Sequence, residues 1–304
     1  MENREMIVER LRAACPGAEI MLDEPMSRHT TFKVGGPADI LIEPSGVEEA
    51  LRAIRETEQM GITPFVMGNG SNLLVKDGGM EGVVVMLGER MSSVTVDGCR
   101  IHAEAGAMLS RLSREALNAG LQGLVFASGI PGTVGGAVVM NAGAYGGEMK
   151  DVLVRARVLM DGQCRWMERD ELEMGYRTTL PLKRGGIVLE AEFELTPGDK
   201  EALQEETAEL SRRRREKQPL SLPSAGSTFK RPTGYFAGTL IEQAGLKGAS
   251  VGGAQVSTLH AGFIVNTGGA TAADILGLIR HVQETVRAKD GVTLETEVRI
   301  VGRD

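Results

Sequence analysis

The chain has 304 residues, enough for two or three domains, and its 42% hydrophobic and 25% charged content is that of a globular protein. A net charge of −7 argues against a general nucleic-acid footprint, and no run approaches the ~20 apolar residues of a membrane span. Cys15, Cys99 and Cys164 lie far apart and His29, His102, His260 and His281 form no close pair, so zinc spacing is absent and no metal is expected. The charged, amphipathic N-terminus lacks a signal-peptide apolar region. Together with cysteines that read as buried thiols, this predicts a reducing, cytoplasmic setting.

In chain order, residues 4–14 read as a short amphipathic helix and 38–44 as a strand. Residues 47–60 form a helix with Val47, Leu51 and Ile54 on one stripe. The strand 63–68 runs directly into Gly68-Asn69-Gly70-Ser71-Asn72, and the apolar run 82–87 has the form of a strand buried on both faces. A hairpin over 93–106 turns at Asp97-Gly98, and a helix over 107–119 ends at Gly120. Strands follow at 152–160, 163–168 and 187–195, the first two joined by Asp161-Gly162. A charged helix over 200–218 stops at Pro219. The small, polar, proline-containing stretch 220–232 reads as a boundary. Beyond it come a helix at 235–244, a strand at 262–266, a helix at 271–289 and a strand at 292–301. The pattern is α+β, with a larger N-terminal body and a smaller C-terminal domain beginning near 219.

Residues 126–148, FASGIPGTVGGAVVMNAGAYGGE, carry seven glycines between Gly129 and Gly147. Each would cost roughly 0.5–1 kcal/mol inside a helix or strand, so the stretch predicts bent backbone or close approach to a ligand. Converging N–H groups in such loops bind anions, which makes a phosphate the first candidate. The loop 68–72 offers free amides and two side-chain amides, suited to a pyrophosphate or ribityl hydroxyls. It is not a dinucleotide fingerprint, because Leu73 stands where the third glycine belongs. A Walker A loop is absent altogether. Arg212 to Arg215 read as the solvated face of a charged helix. Ser227 lacks a nucleophile elbow and a histidine partner, so an acyl-transfer triad is excluded. Alternation over Val292, Leu294, Thr296, Val298 and Ile300 places Glu295, Glu297 and Arg299 on the outer face.

Seven motifs occur in order: RHTTFKVGGPAD (28–39), MGNGSNLL (67–74), SGIPGTVGGAVVMNAGAYG (128–146), YR (176–177), PSAGSTFKRP (223–232), AGLKG (244–248) and LETEVRIVG (294–302). As an ordered set covering about 20 to 302, they resemble the UDP-N-acetylenolpyruvoylglucosamine reductase (MurB) family. The resemblance implies an FAD-binding domain of the vanillyl-alcohol-oxidase (PCMH) type in two α+β subdomains, 20–88 and 89–218. A substrate-binding α+β domain, 219–304, completes the chain, its last strand packing back on the N-terminal body. The implied flavin contacts are Gly35, with Gly36 beside it; Gly68, Asn69, Gly70, Ser71 and Asn72; and Gly129, Gly132, Thr133, Gly135, Gly136, Asn141, Gly143 and Ala144.

In the family, a hydride passes from NADPH to FAD and then to the enolpyruvyl ether of UDP-N-acetylglucosamine enolpyruvate, in peptidoglycan precursor synthesis. Motif matching assigns Arg177, Ser227 and Glu297 as catalytic, and Tyr176, Lys217, Lys230 and Arg231 to the substrate, with Lys217 at the UDP pyrophosphate. The residue types suit the chemistry. Hydride addition at the β-carbon leaves negative charge on the α-carbon and its carboxylate, which a guanidinium fork stabilises as it develops. Ser227 is placed to hand a proton to the α-carbon. Glu297, protonated or arginine-bound, helps polarise the substrate carboxylate.

Two features depart from the wider family. The path from Tyr176 to Ser227 leaves no room for the insertion that closes a tyrosine over substrate in some members. Arg231 stands where some members carry asparagine. Two rival readings are an FAD-dependent alcohol or sugar oxidase of the same flavin fold and a non-catalytic nucleotide-binding module. Such oxidases often tether flavin through His or Cys, and His29 is the only histidine in a flavin-side motif. The remaining expectations are no nucleic-acid partner, no membrane insertion, and a monomer or weak homo-oligomer.

Overall fold

The structure, a computed structural model, describes residues 2–304. They divide into two compact units, the first with two buried apolar cores and the second with one.

The first unit comprises residues up to Met21, Ile40–Asn69 and Val83–Arg213. Its centre is a five-stranded antiparallel sheet in the order Gln163–Glu168, Leu153–Met160, Ile187–Glu194, Arg100–Glu104, Val94–Asp97. Asp161 and Gly162 both take positive φ (52° and 75°), the two-residue turn whose twist suits a hairpin. Six helices accompany the sheet: α1 (Glu2–Ala14), α2 (Val47–Gln59), α3 (Leu109–Asn118), α4 (Val134–Met140), α5 (Leu180–Arg184) and α6 (Lys200–Lys217), whose last turn belongs to the second unit. One sheet face, carrying Ile101, Ala103, Ala156, Ala191 and Phe193, forms a core with Leu109, Leu112 and Ala116 of α3 and Ala137 and Val138 of α4. A separate core joins Leu159 and Leu189 to α1, α2 and Ile40, Ile42, Val83 and Val85. Those last four residues lie on strands Pro37–Glu43 and Met80–Met86 of a four-stranded sheet, where the latter pairs in parallel with Phe65–Met67.

The sheet also carries a polar ladder. Arg155 forks onto Glu192 with two 2.8 Å bonds, and Glu190 takes His102 (2.6 Å) on one oxygen and Arg157 (3.0 Å) on the other. The hydrogen bond to Glu190 raises the His102 imidazole above its ordinary value of 6.5, and the reciprocal bond from His102 lowers the Glu190 carboxyl below 4.5. The histidine's raised value stabilises the fold below about pH 6.5, a contribution lost as pH rises through the folded value; the glutamate's lowered value stabilises it above about pH 4.5. The pair therefore contributes most between those limits. His102→Gln is expected to destabilise the fold more at pH 6 than at pH 8, by under about 1 kcal/mol because the imidazole is partly exposed, as thermal melts at both pH values would read.

The second unit comprises Leu22–Asp39, Gly70–Gly82 and Arg214–Asp304. It holds a three-stranded antiparallel sheet, Ser250–Val251, Ala254–Val256 and Ile264–Asn266, with helices α7 (Ala237–Gln243) and α8 (Ala272–Asp290). Ile275, Leu278, Ile279, Val282 and Val286 give α8 a buried stripe at helical spacing, each worth about 1.5–3 kcal/mol relative to exposure. Its start is fixed twice. Thr271 and Asp274 form a capping box, and the Asp77 carboxylate accepts the N–H groups of Ala272 (2.8 Å) and Ala273 (2.9 Å).

The elements depart from the sequence expectation in several places, including unforeseen strands at Glu19–Pro25, Ser250–Val251 and Ala254–Val256. The strand expected over 292–301 is reduced to Arg299–Val301, which pairs in parallel with Leu73–Val75. Upstream, the chain makes only isolated pairings, so Leu294 and Val298 are buried without a regular ladder. The glycine-rich stretch contains a helix, α4, because Gly135 lets its first turn press against the end of strand Arg100–Glu104. The Gly135 N–H donates to Ala105 O (2.9 Å), and a Cβ there would lie 2.8 Å from Ala105 Cβ. Of the cysteines, only Cys15 is buried; its thiol is pushed up to about 11 by that burial, while Cys99 and Cys164 are half-buried. Among the described residues no helix is long and apolar enough to cross a membrane, and no cluster of metal-ligating side chains occurs.

Candidate active site

Within the first unit the two glycine loops meet. Strand Phe65–Met67 delivers Gly68 and Asn69, and the Asn69 Nδ2 donates to Pro131 O at 2.7 Å. A Cβ on Gly68 would collide with Thr133 Oγ1, so only glycine admits this approach. Among the described residues, the N–H groups of Asn69, Gly129 and Gly132 have no backbone acceptor, nor do those of Gly70, Ser71 and Asn72 in the second unit. The free amides of Asn69, Gly129 and Gly132 within the first unit are donors of the kind a flavin nucleotide's pyrophosphate and ribityl hydroxyls require, so the residues present fit FAD. Other glycines answer to the protein instead. A Cβ on Gly143 would sit 2.6 Å from Gly147 O, and one on Gly35 (φ +124°) would sit 2.8 Å from Val75 Cβ.

Beyond α4 the chain turns through Asn141 in the left-handed region (φ 43°) into the small hairpin Gly143–Ala144/Gly147–Glu148. Asn141 is fully buried. Its Nδ2 donates to Glu148 Oε2 and to Gly175 O, both at 2.9 Å, and its Oδ1 accepts the Lys150 N–H at 3.0 Å. The side chain named as a flavin contact is thus taken up by protein. Gly175 begins the turn that carries Tyr176 and Arg177 and closes on Thr178 through two backbone bonds. Arg177 also has positive φ (52°), and its Nη1 and Nη2 donate to Asn141 O (3.4 Å) and Gly143 O (3.2 Å). Its guanidinium lies 5.3 Å from the ring of Tyr176, which is 56% exposed. Glu148 is held below the ordinary carboxylate range by its hydrogen bond from Lys150, then by Asn141 and by the charge of Arg177.

Within the second unit the structure brings Ser227, Glu297 and Asn72 together. The segment around Ser227 lies between two others through bridges Ser227 to Phe263 and Phe229 to Thr296. The Glu297 N–H donates to Thr228 O at 2.8 Å, and the Asn72 side chain donates to Glu297 O at 3.1 Å. Gly70 packs so closely on His29 that a Cβ would strike the His29 carbonyl. The exposed Ser227 and half-buried Glu297 flank Thr228, which is 1% exposed and whose Oγ1 accepts the Ile264 N–H at 3.1 Å.

The remaining candidates fall nearby in sequence but differ in engagement. Lys217 is exposed in the last turn of α6. Lys230 pairs with Glu295 (3.1 Å), and the Arg231 guanidinium stacks 3.9 Å from the Phe236 ring. Arg212 and Arg213 both pair with Glu209 on the exposed face of α6, as a solvated run should. His29 holds Glu24 at 2.9 Å through Nε2. Sequence reasoning missed Glu148, Lys150 and Thr228. The first two had a readable signal in Asn141-Ala142-Gly143 directly after α4, an Asn at a helix C-terminus; Thr228 had none.

A flavin-binding domain and a C-terminal domain matched in one chain define the class, a two-part PCMH-type flavoprotein. Residues 38–167 match the FAD binding domain family, and residues 218–301 match the family described as UDP-N-acetylenolpyruvoylglucosamine reductase, C-terminal domain. The chain belongs to the UDP-N-acetylenolpyruvoylglucosamine reductase family. It is 52% identical to the reductase of Alkaliphilus oremlandii, covering 97% of each chain, and 50% identical to that of Clostridium perfringens strain SM101, covering 94% of each. Among solved structures it is similar to the enzyme of Thermus caldophilus, with a TM-score of 0.79, 41% identity and coverage of 93% of this chain and 98% of that one. A grass pollen allergen with glucose dehydrogenase activity shares the fold alone, with a TM-score of 0.50 at 16% identity over 64% of this chain and 44% of that one.

Proposed function

We propose that this chain reduces UDP-N-acetylglucosamine enolpyruvate to UDP-N-acetylmuramate with NADPH as hydride donor. The same proposal places it in the cytoplasm, in peptidoglycan precursor synthesis, and so in the maintenance of cell shape and division. FAD, when bound, supplies the hydride carrier between NADPH and the enolpyruvyl double bond. Gly68, Asn69, Gly70, Ser71, Asn72, Gly129, Gly132 and Thr133 hold it through backbone and side-chain donors. The domain reading is 20–88 and 89–218 for the flavin part and 219–304 for the substrate part. Its support is the composition break after Pro219 and the start of the C-terminal family match at residue 218.

Three side chains act on the substrate. Arg177 receives the enolpyruvyl carboxylate and stabilises the charge that grows there once the β-carbon has gained hydride. Ser227 gives its proton to the α-carbon, completing the addition of two hydrogens across the double bond. Glu297 helps polarise the same carboxylate. Lys217 meets the pyrophosphate, with Tyr176, Lys230 and Arg231 on other parts of the nucleotide sugar.

The observation that supports this reading is the pair of bonds from the Glu297 N–H to Thr228 O and from the Asn72 side chain to Glu297 O, which join the segments carrying Ser227, Glu297 and Asn72. An alcohol oxidase has less support, since His29, the one histidine in a flavin-side motif, is engaged by Glu24. The test is stoichiometric. NADPH and the enolpyruvyl nucleotide should disappear in equal amounts, with a product two hydrogens heavier by mass spectrometry. NADPH consumption that proceeds without the nucleotide would overturn the proposal.

A further inference from the structure

We propose that Asn141 is a positioning residue for Arg177, its buried side chain tying the glycine-rich segment to the Tyr176-Arg177 turn and so setting where the guanidinium meets the substrate carboxylate. The inference rests on the role given to Arg177 above and deepens it.

Each bond of the asparagine side chain fixes a different piece of the surroundings of Arg177. One Nδ2 hydrogen reaches Gly175 O (2.9 Å), the residue that opens the turn carrying Arg177. The other reaches Glu148 Oε2 (2.9 Å), on the far strand of the hairpin whose near strand supplies Gly143 O to Arg177 Nη2. The Oδ1 takes the Lys150 N–H (3.0 Å), which locks the chain just past that hairpin. The carbonyl of Asn141 itself receives Arg177 Nη1 (3.4 Å). One residue therefore holds the turn from which the arginine projects and, through its own backbone and the hairpin, the two carbonyls on which the guanidinium rests.

Asparagine suits the position on two counts. It tolerates the left-handed backbone (φ 43°) that ends α4, and its amide offers two donors and an acceptor to three protein partners. A second tie, Thr179 Oγ1 to Val139 O (2.7 Å), joins α4 to the residues after the turn. Glu148 completes the arrangement through its ion pair with Lys150 Nζ (2.8 Å). A guanidinium displaced by an ångström loses much of its advantage over bulk solvent, so the position of this anchor carries to the rate.

The test uses the FAD-loaded protein with Asn141→Asp. The new carboxyl would face the Glu148 carboxylate and the Gly175 carbonyl, with Lys150, Asp151 and Arg177 as the other charged neighbours, and it must hold a proton to donate at all. In anaerobic stopped-flow at pH 8, flavin reduction by NADPH should stay within about twofold of wild type. Reoxidation by the enolpyruvyl nucleotide should slow about tenfold or more. At pH 6 protonation restores a donor, and the oxidative rate should recover relative to wild type. Calorimetry provides a readout apart from turnover. The variant should bind the enolpyruvyl nucleotide about tenfold more weakly, yet bind UDP-N-acetylglucosamine, which has no carboxylate, as wild type does.

Wild-type oxidative rates at both pH values would overturn the proposal, as would equal slowing of both half-reactions, which marks a purely structural role. If Asn141→Asp fails to fold, Glu148→Ala takes its place. It removes one of the two acceptors of the Asn141 amide while leaving Asn141 itself, and it should slow the oxidative half-reaction alone; equality with wild type in both halves overturns the proposal. Failure of the wild-type protein to be reoxidised by the nucleotide counts against the reductase reading and not against Asn141.

Discussion

Arg177→Lys is expected to slow the transfer from reduced flavin to the enolpyruvyl nucleotide by about 10²- to 10³-fold, the usual effect of removing one preorganised donor from developing negative charge. The positive charge survives this substitution, so the loss reports geometry. Arg177 rests two nitrogens on the carbonyls of Asn141 and Gly143 at 3.4 and 3.2 Å, an arrangement that a planar fork satisfies and a single ammonium does not. An ammonium in its place would settle against one carbonyl and present a point charge to the substrate. The backbone conformation (φ 52°) is equally strained for either residue, so stability should change little by comparison. Stopped-flow measurement of the two half-reactions is the check. A rate within threefold of wild type in the oxidative half would remove Arg177 from the chemistry.

The second large effect is expected for Ser227→Ala, a loss of about 10²- to 10⁴-fold in the same half-reaction, the range for a positioned general acid. The side chain is exposed, and among the described residues no side-chain hydrogen bond from it supports the fold. Its position is held by the neighbours: the buried Thr228, whose Oγ1 accepts from Ile264 and whose carbonyl accepts from Glu297, and the bridge to Phe263. Removing the hydroxyl should therefore leave stability within about 0.5 kcal/mol of wild type, as for other surface changes, while the chemistry suffers. Thermal melts and single-turnover reoxidation on one preparation separate the two. An alanine variant with near-wild-type reoxidation would assign the proton to another donor.

Much of this arrangement was legible in the sequence. Strong periodicity found α2 and α8, the Asp161-Gly162 turn and the strands on either side of it, since each depends on local pattern alone. The glycine-rich stretch was recognisable as close-approach backbone, but the approach is in large part protein on protein. Gly135 lies against Ala105 and Gly143 against Gly147, so density of glycine alone did not reveal α4. Glu297 illustrates the opposite limit. Alternation put it on the outer face of a strand, and that orientation says nothing about what lies outside. Its partners, Thr228 and Asn72, are 69 and 225 residues away in the chain, and only the fold joins them. The hold of Asn141 on the Arg177 turn has the same origin, a buried amide whose bonds reach across 34 residues.

The reductase reading is tested most directly by reducing the bound flavin with NADPH under strict anaerobiosis and then adding the enolpyruvyl nucleotide while following the flavin absorption. The expected result is bleaching on addition of NADPH and full return of the oxidised spectrum with the nucleotide. A flavin that stays reduced in the presence of the nucleotide, yet is rapidly reoxidised by air, would contradict it and identify an oxidase.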